Sequence, residues 1–280
     1  MNDVSILLCA YNAEAYVGEA IESILCQTYS AFELVLVDDG STDGTLSIMR
    51  SFNDHRVNII ESSHDYIRSL NLGLHNCHGK YIARLDADDL MEPTRIEEQV
   101  YFMYHHLDLA ACFSWAMAFG DHTGLYGNHV RGWVPMPYFW LLTGNYLMHP
   151  TAMIRRSFLQ KHRIKYKNYP YAEDFKLWTD IARHGGQFYV IPKPLIRHRL
   201  NSAQVSKVHA KEQWQTRLQI QQEVIDHLIT TLTHPAKRHI RTLFNQLLIL
   251  NAANLIQGDK VATFMYNLLN QIRLKGYLQL

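Results

Sequence analysis

The strongest constraint in this sequence is a repeated alternation in its first half, where short apolar runs trade places with stretches of helical spacing. Val4 to Cys9 is a nearly continuous apolar run, as a strand buried on both faces requires. Tyr16, Val17, Ala20, Ile21, Ile24 and Leu25 then recur at helical intervals. Phe32 to Val37 is the next strand, followed by helical spacing at Leu46, Ile48, Met49 and Phe52. Val57 to Ile60, a helix through Leu70 and Leu74, and a strand from Tyr81 to Leu85 complete the series. Strands alternating with helices in this way predict an α/β fold: a mostly parallel, Rossmann-like sheet with helices on both faces.

Beyond about residue 115 the pattern breaks up, and residues 120–150 are rich in Gly, Pro and aromatic side chains. The spacing predicts a helix beginning near Glu173, with Phe175, Trp178, Ile181 and Ala182 buried, and a late strand from Phe188 to Ile191. From about Glu212 the pattern is helical, with Pro235 between two apolar stripes. The chain therefore reads as a domain over 1–210, in halves 1–115 and 116–210, with a helical C-terminal appendage over 211–280.

The 280 residues carry a net charge of +1, which gives no field for nucleic acid or an anionic bilayer as a bulk partner. Cys9, Cys26, Cys77 and Cys112 form no CxxC pair, and read as buried structural thiols in a reducing compartment. No run reaches the roughly 18 apolar residues of a membrane span, and the N-terminus does not read as a signal peptide. The expected location is cytoplasmic. Lys237, Arg238, Arg241, Arg273 and Lys275, near apolar stripes, permit a peripheral contact at the inner face of the membrane. The pattern favours a solvated polar face on packed helices over that contact, and a homodimer through the same helices is a further alternative.

Four constellations carry chemistry. Asp86-Ala87-Asp88-Asp89 directly follows a strand, where open α/β sheets bind ligands. Alternation along an extended chain puts Asp86 and Asp88 on one side, where their charges repel unless a cation joins them. Mg²⁺ characteristically takes one or two protein carboxylates and completes its shell with water and substrate phosphates. The competing reading is an acidic loop capping a helix that starts near Pro93. Asp38-Asp39-Gly40-Ser41-Thr42-Asp43-Gly44 combines a tight turn, a helix cap and a carboxylate able to accept the imide N–H of uracil. In Ala10-Tyr11-Asn12-Ala13-Glu14, Tyr11 can stack on a base, or Asn12 can cap the next helix. Glu173-Asp174 opens a helix whose dipole keeps Asp174 ionised, which suits a general base and equally a plain first-turn carboxylate.

In combination these segments resemble the inverting glycosyltransferases of family 2, which have the GT-A fold. The resemblance covers roughly residues 3–206, in order: SILLCAYNAE from Ser5, ELVLVDDGSTDGT from Glu33, GKYIARLDADD from Gly79, HPTAMIRRS from His149 and AEDFKLW from Ala172. It implies donor contacts from Ala10, Tyr11, Asn12, Glu14, Asp39, Asp86, Ala87, Asp88 and Arg199. Asp39 would face the uracil, Asp88 would hold Mn²⁺ or Mg²⁺, and Asp86 would meet ribose or a metal-bound water. Asp174 would be the catalytic base with Glu173 beside it, and His149 and Arg156 would lie on the acceptor side.

The implied partners are a nucleotide-sugar donor of the UDP-sugar class and a glycan or lipid-linked acceptor. The implied activity is hexosyl or N-acetylhexosaminyl transfer in surface polysaccharide or glycan synthesis. Asn201 stands where a histidine metal ligand is common, and His64 to Leu70 match poorly, so no donor contact is assigned there. An inactive sugar-nucleotide-binding or scaffold protein on the same fold is the alternative, although both Asp88 and Asp174 are intact. A nucleotidyltransferase would show a Gly-rich basic loop near the first strand. A Rossmann oxidoreductase would show GxGxxG after it, and neither pattern is present.

Overall fold

The computed structural model describes residues 2–201, 208–230, 237–252, 255 and 258–275. Pro235, the stretch from Ser202 to Ser206 and the side chain of Arg273 lie outside the described residues. The chain divides into two compact units. The first comprises Met1–Val134, Tyr146–Asn168 and Gly186–Gln204, and the second Pro135–Asn145, Tyr169–Gly185 and Val205–Leu280.

The first unit is built on one twisted sheet. Strands β1 (Val4–Ala10), β2 (Phe32–Asp38), β3 (Val57–Glu61) and β4 (Tyr81–Asp86) are linked by helices α1 (Val17–Leu25), α2 (Thr45–Ser51) and α3 (Tyr66–Asn76). These four strands run parallel in the order β3-β2-β1-β4. Every residue of β1 is buried, which explains why its sequence is apolar without alternation. Val4, Ile6 and Leu8 pack with Ala20, Ile21 and Ile24 of α1 in one core.

After β4 come the short β5 (Leu90–Met91), α4 (Arg95–His105), β6 (Leu109–Gly120), β7 (Gly124–Tyr126) and β8 (Gly132–Trp133). The sheet is completed by β9 (Met153–Arg155), which is antiparallel to both β4 and β6. A short helix over Arg156–His162 follows β9. The last strand, β10 (Gln187–Leu200), is parallel to β6. The sequence predicts the end of this strand at Ile191, because Pro192 and Pro194 each lack a ladder N–H. Instead the pairing with β6 shifts register between Ile191 and Pro194 and again before Ile196, and the strand continues to Leu200. Those irregularities carry His198 and Arg199 into place.

The thiols depart from expectation at one position. Cys9, Cys77 and Cys112 are buried, whereas Cys26 is exposed. It sits just past the last turn of α1, where the chain leaves the core for solvent.

The second unit is helical. Its short helix over Pro137–Trp140 precedes α7 (Glu173–Arg183), α8 (Ala210–Thr230), α9 (Lys237–Ala252) and α10 (Gly258–Leu274), where Pro137–Trp140 is α5 and Arg156–His162 is α6. Helix α8 is bound to α7 by polar contacts as well as apolar ones. Lys176 Nζ lies 2.9 Å from Glu223 and 3.1 Å from Asp180, and Tyr169 Oη donates to Glu223 at 2.8 Å. Gln221 Nε2 donates to the Leu142 carbonyl at 2.9 Å. Arg241, one of the cations near the apolar stripes, pairs with Asp226 at 2.6 Å. Among the described residues no helix is long and apolar enough to cross a membrane.

Gly79 stands where β4 meets the backbone of β1. A Cβ there would lie 2.5 Å from the Ser5 nitrogen and 2.6 Å from the Val4 carbonyl carbon. Backbone cannot swing away as a side chain can, so Gly79→Ala is expected to cost at least about 1–3 kcal/mol. Urea unfolding followed by circular dichroism measures this, and an unchanged midpoint would show that the strands separate freely there.

Candidate active site

The site in the first unit is set by register. Ala10 pairs with Asp38 across β1 and β2, and Cys9 pairs with Asp86 across β1 and β4. The carboxyl ends of three parallel strands therefore bring Ala10, Asp38-Asp39 and Asp86 to one end of the sheet, where such sheets bind ligands.

Asp39 is almost wholly buried and firmly held. Its Oδ1 accepts from the Asp65 N–H at 2.9 Å and from Ser69 Oγ at 2.6 Å, while its own N–H donates to the Ala10 carbonyl at 2.8 Å. Its Oδ2 lies 3.6 Å from Nδ1 of His64. The His64 ring stacks on Tyr11, with centroids 3.9 Å apart and planes at 26°. Tyr11 is 43% exposed, so this small aromatic pair is open to solvent. His64 has no counterpart among the sequence-derived site residues, and its position in a poorly matching stretch gave no signal.

Asn12 and Glu14 brace the neighbouring loop. Asn12, at φ 48°, accepts from the Thr42 N–H at 2.8 Å, and Glu14 accepts from the Gly44 N–H at 2.7 Å. Helix α1, which follows Asn12, starts after Tyr16 with no side-chain cap, and at the start of α2 Asp43 accepts from the N–H and hydroxyl of Thr45. Asn12 thus holds one loop to another and caps no helix.

The acidic cluster is compensated unequally. Residues 87–88 form a turn beyond β4, closed by a 3.2 Å bond from the Asp89 N–H to the Asp86 carbonyl. The strand pleat therefore ends at Asp86, and a turn sets the position of Asp88. Asp86 pairs with buried Arg84 at 2.8 Å. Burial works against its ionisation, but the Arg84 guanidinium outweighs this and holds Asp86 below the usual carboxylate range. Asp89 is fully buried and lies 2.9 Å from His198 Nδ1, and it also accepts from the Arg199 N–H at 2.8 Å. Burial pulls His198 down, yet the hydrogen bond and charge of Asp89 raise it above its ordinary value.

Asp88 has no cationic partner among the described residues. Burial, then the charges of Asp86 and Asp89, push it up to about 7. The cluster caps no helix, since α4 follows Thr94 without a side-chain cap. Arg199 donates through Nε to the Asp88 carbonyl at 2.9 Å and lies over the rings of Tyr16 and Phe119.

Among the described residues no group of three or more His, Cys, Asp or Glu side chains is arranged to hold a metal unaided. A single uncompensated carboxylate still fits a divalent ion whose remaining ligands are water and substrate phosphate.

His149 and Arg156 are less suited to a ligand. His149 is buried, its Nε2 is 2.7 Å from the Tyr166 hydroxyl, and burial pushes its imidazole down to about 3, so it is neutral. Arg156 donates to the Gly79 carbonyl, at the opposite end of β4 from Asp86. In the second unit, Glu173 and Asp174 form the first turn of α7. Asp174 Oδ2 accepts from Asn145 Nδ2 at 2.9 Å, and Oδ1 accepts from the Phe175 N–H at 2.6 Å.

A mostly parallel sheet with an acidic turn after its fourth strand and a held aspartate after its second is the arrangement of a GT-A glycosyltransferase. Solved structures share the fold. S. aureus TarS in complex with UDP-GlcNAc matches with TM-score 0.65 at 19% identity, over 98% of this chain and 88% of that one. The mannosyltransferase PcManGT from Pyrobaculum calidifontis, in complex with GDP-Man and Mn²⁺, matches with TM-score 0.57 at 19% identity, over 98% and 86%.

The chain belongs to glycosyl transferase family 2, whose family model matches residues 5–163. An uncharacterized glycosyltransferase of Haemophilus influenzae is 34% identical over 82% of this chain and 75% of its own length. A second relative, from Escherichia coli, is the UDP-Glc:alpha-D-GlcNAc-diphosphoundecaprenol beta-1,3-glucosyltransferase WfaP. It is 29% identical over 66% of this chain and 72% of its own length.

The Asp89–His198 pair closes the acidic turn against β10. Removing one partner of a buried ion pair leaves the other charge uncompensated, at a cost of about 3–5 kcal/mol. His198→Ala is expected to lose stability on that scale at neutral pH. Chemical denaturation checks this, and a loss of only a few tenths would show that water solvates Asp89.

Proposed function

We propose that this glycosyltransferase moves a hexosyl or N-acetylhexosaminyl group from a UDP-sugar to an acceptor hydroxyl with inversion, in the synthesis of surface polysaccharide or another glycan. The observation that carries the reading is the uneven compensation of the acidic turn: among the described residues Asp86 and Asp89 have cationic partners and Asp88 has none. Asp88 would hold Mn²⁺ or Mg²⁺, which when bound offsets charge growing on the leaving diphosphate. The Mn²⁺ in the PcManGT complex supports that assignment, as do UDP-GlcNAc in the TarS complex and UDP-Glc in the name of the Escherichia coli relative for the donor.

Each step follows from this chain's own residues. Tyr11 and Asp39 bind the base, Asp39 through its outward Oδ2. Asp86, held by Arg84, faces ribose. Arg199 borders the diphosphate. Asp174 takes the proton of the acceptor hydroxyl as its oxygen bonds to the anomeric carbon, and the bond from that carbon to the diphosphate oxygen breaks. One displacement inverts the centre and releases UDP. The α7 N-terminus favours the charged form of Asp174, as a base requires. Glu173 orients the base or the acceptor. The protein works in the cytoplasm, and its C-terminal helices serve acceptor delivery or assembly. The alternative of a non-catalytic nucleotide-sugar-binding protein gains no support, since both Asp88 and Asp174 are present.

Asp174→Asn is expected to leave UDP affinity within a few-fold and to lower turnover by about 10²–10⁴. Glu173→Gln should do less. Turnover and affinity of both variants, with the product's anomeric configuration by NMR, test the assignment. A retained configuration, or a far worse Glu173 variant, would mean that another carboxylate or another mechanism operates.

The base pocket generates a second expectation. His64 makes the two contacts assigned here to uracil, stacking on Tyr11 and facing Asp39 Oδ2. Its side chain is 63% exposed and can swing away. His64→Ala should therefore tighten UDP binding, and UDP should bind better than GDP to both forms. Calorimetry decides this. Weaker binding by His64→Ala would place His64 in the pocket wall, and tighter GDP binding would overturn the donor assignment.

A further inference from the structure

A cavity of about 160 Å³ lies within the second unit, beside the carboxylate proposed as the base. Asn145, Asp174 and Phe175 line it together with Gln213, Trp214 and Arg217 of α8. Liquid water takes about 30 Å³ per molecule, so the space corresponds to roughly five waters, or to one pyranose ring in their place. No residue proposed to hold the donor contributes to it.

The walls are held in position. Asn145 fixes one oxygen of Asp174 at 2.9 Å. Gln213 Nε2 donates to the Tyr171 carbonyl at 2.8 Å, which ties α8 to the loop before α7. Tyr171 has φ 61°, a conformation that a bulky residue rarely adopts and that collects at ligand clamps. Its ring is stacked on His209, with centroids 4.1 Å apart and planes at 8°. Arg217 lies over the Trp214 ring at 4.6 Å, so its planar donor fork is held at the wall.

The lining discriminates among acceptors. Aromatic rings suit the apolar C–H faces of a sugar, while side-chain amides, a carboxylate and a guanidinium suit its hydroxyls. A lipid chain would set apolar surface against the charged groups of Asp174 and Arg217, which disfavours it. The charges of Asp174 and Arg217 oppose each other across the lining, so the cavity offers no net positive field to draw in a phosphate.

We infer that this cavity is the acceptor subsite and that it takes a neutral pyranose ring at the end of a glycan, with Gln213, Trp214 and Arg217 of the C-terminal helices providing its recognition. The inference rests on the reading of Asp174 as the base, and gives the acceptor of that reaction a chemical class.

Saturation-transfer NMR on the full chain, in the presence of UDP, tests it with methyl glucoside, galactoside, mannoside and N-acetylglucosaminide. At least one should bind. Trp214→Ala and Arg217→Ala should weaken it about ten-fold, with UDP affinity and far-UV circular dichroism unchanged. If Trp214→Ala loses helical signal, Arg217→Lys and Gln213→Ala carry the test. Pyranoside binding that none of these variants alters would overturn the proposal. So would binding of glycerol phosphate where no pyranoside binds. Asp174→Asn separates the two readings. Should it transfer at the wild-type rate while the α8 variants lose pyranoside binding, the base assignment fails and the subsite stands.

Discussion

Three aspartates within four residues, partly or wholly withdrawn from water at the end of a parallel strand, repel one another, and the first unit is organised around that repulsion. Arg84 answers Asp86 from within β4, and His198 answers Asp89 from β10. Each pairing needs an element that the other does not supply. Remove either, and a buried charge is left for the rest of the fold to solvate. The carboxylate that the described residues leave without a cationic partner, Asp88, is the one assigned to the cation and thereby to the diphosphate.

The same economy of charge continues beneath the site. Arg95 is fully buried, donates to the carbonyls of Arg84 and Ala152, and is flanked by Gln99, which reaches the carbonyl of Thr151. Burial pulls Arg95 down to about 9, so it still carries its charge at neutral pH. These side chains satisfy backbone where β4 and the segment before β9 lack regular ladder partners. The floor of the site is thus polar but braced, which suits a centre that must hold its carboxylates still while substrate charge changes.

Much of the first half was legible because its strands are buried on both faces. Val4 to Cys9 and Phe32 to Val37 must be apolar throughout, and the acidic and glycine-bearing turns after them are conspicuous by contrast. The later strands were harder to read. β6 runs through Leu109–Gly120 with four alanines, whose small side chains give no strand signature, and β9 spans three residues. β10 passes through two prolines that argue against a strand, although the shifts in its pairing accommodate them. His198 was therefore visible only as part of an imperfect loop motif, and its pairing with Asp89, 109 residues away in sequence, needed the structure. His64 and Arg84 were hidden for a similar reason: their roles come from neighbours brought near by the sheet. Asp174 was readable from its place at a helix start, but Trp214 and Arg217 looked like ordinary positions on an amphipathic helix.

The central claim is that Asp88 makes nucleotide binding depend on a divalent cation. Calorimetric titration of UDP into the protein, with Mn²⁺ and after its removal by chelator, tests this most directly. The account predicts an affinity at least about ten-fold higher with Mn²⁺, and loss of that difference in Asp88→Asn. Equal UDP affinity with and without the cation in the wild-type protein would contradict it.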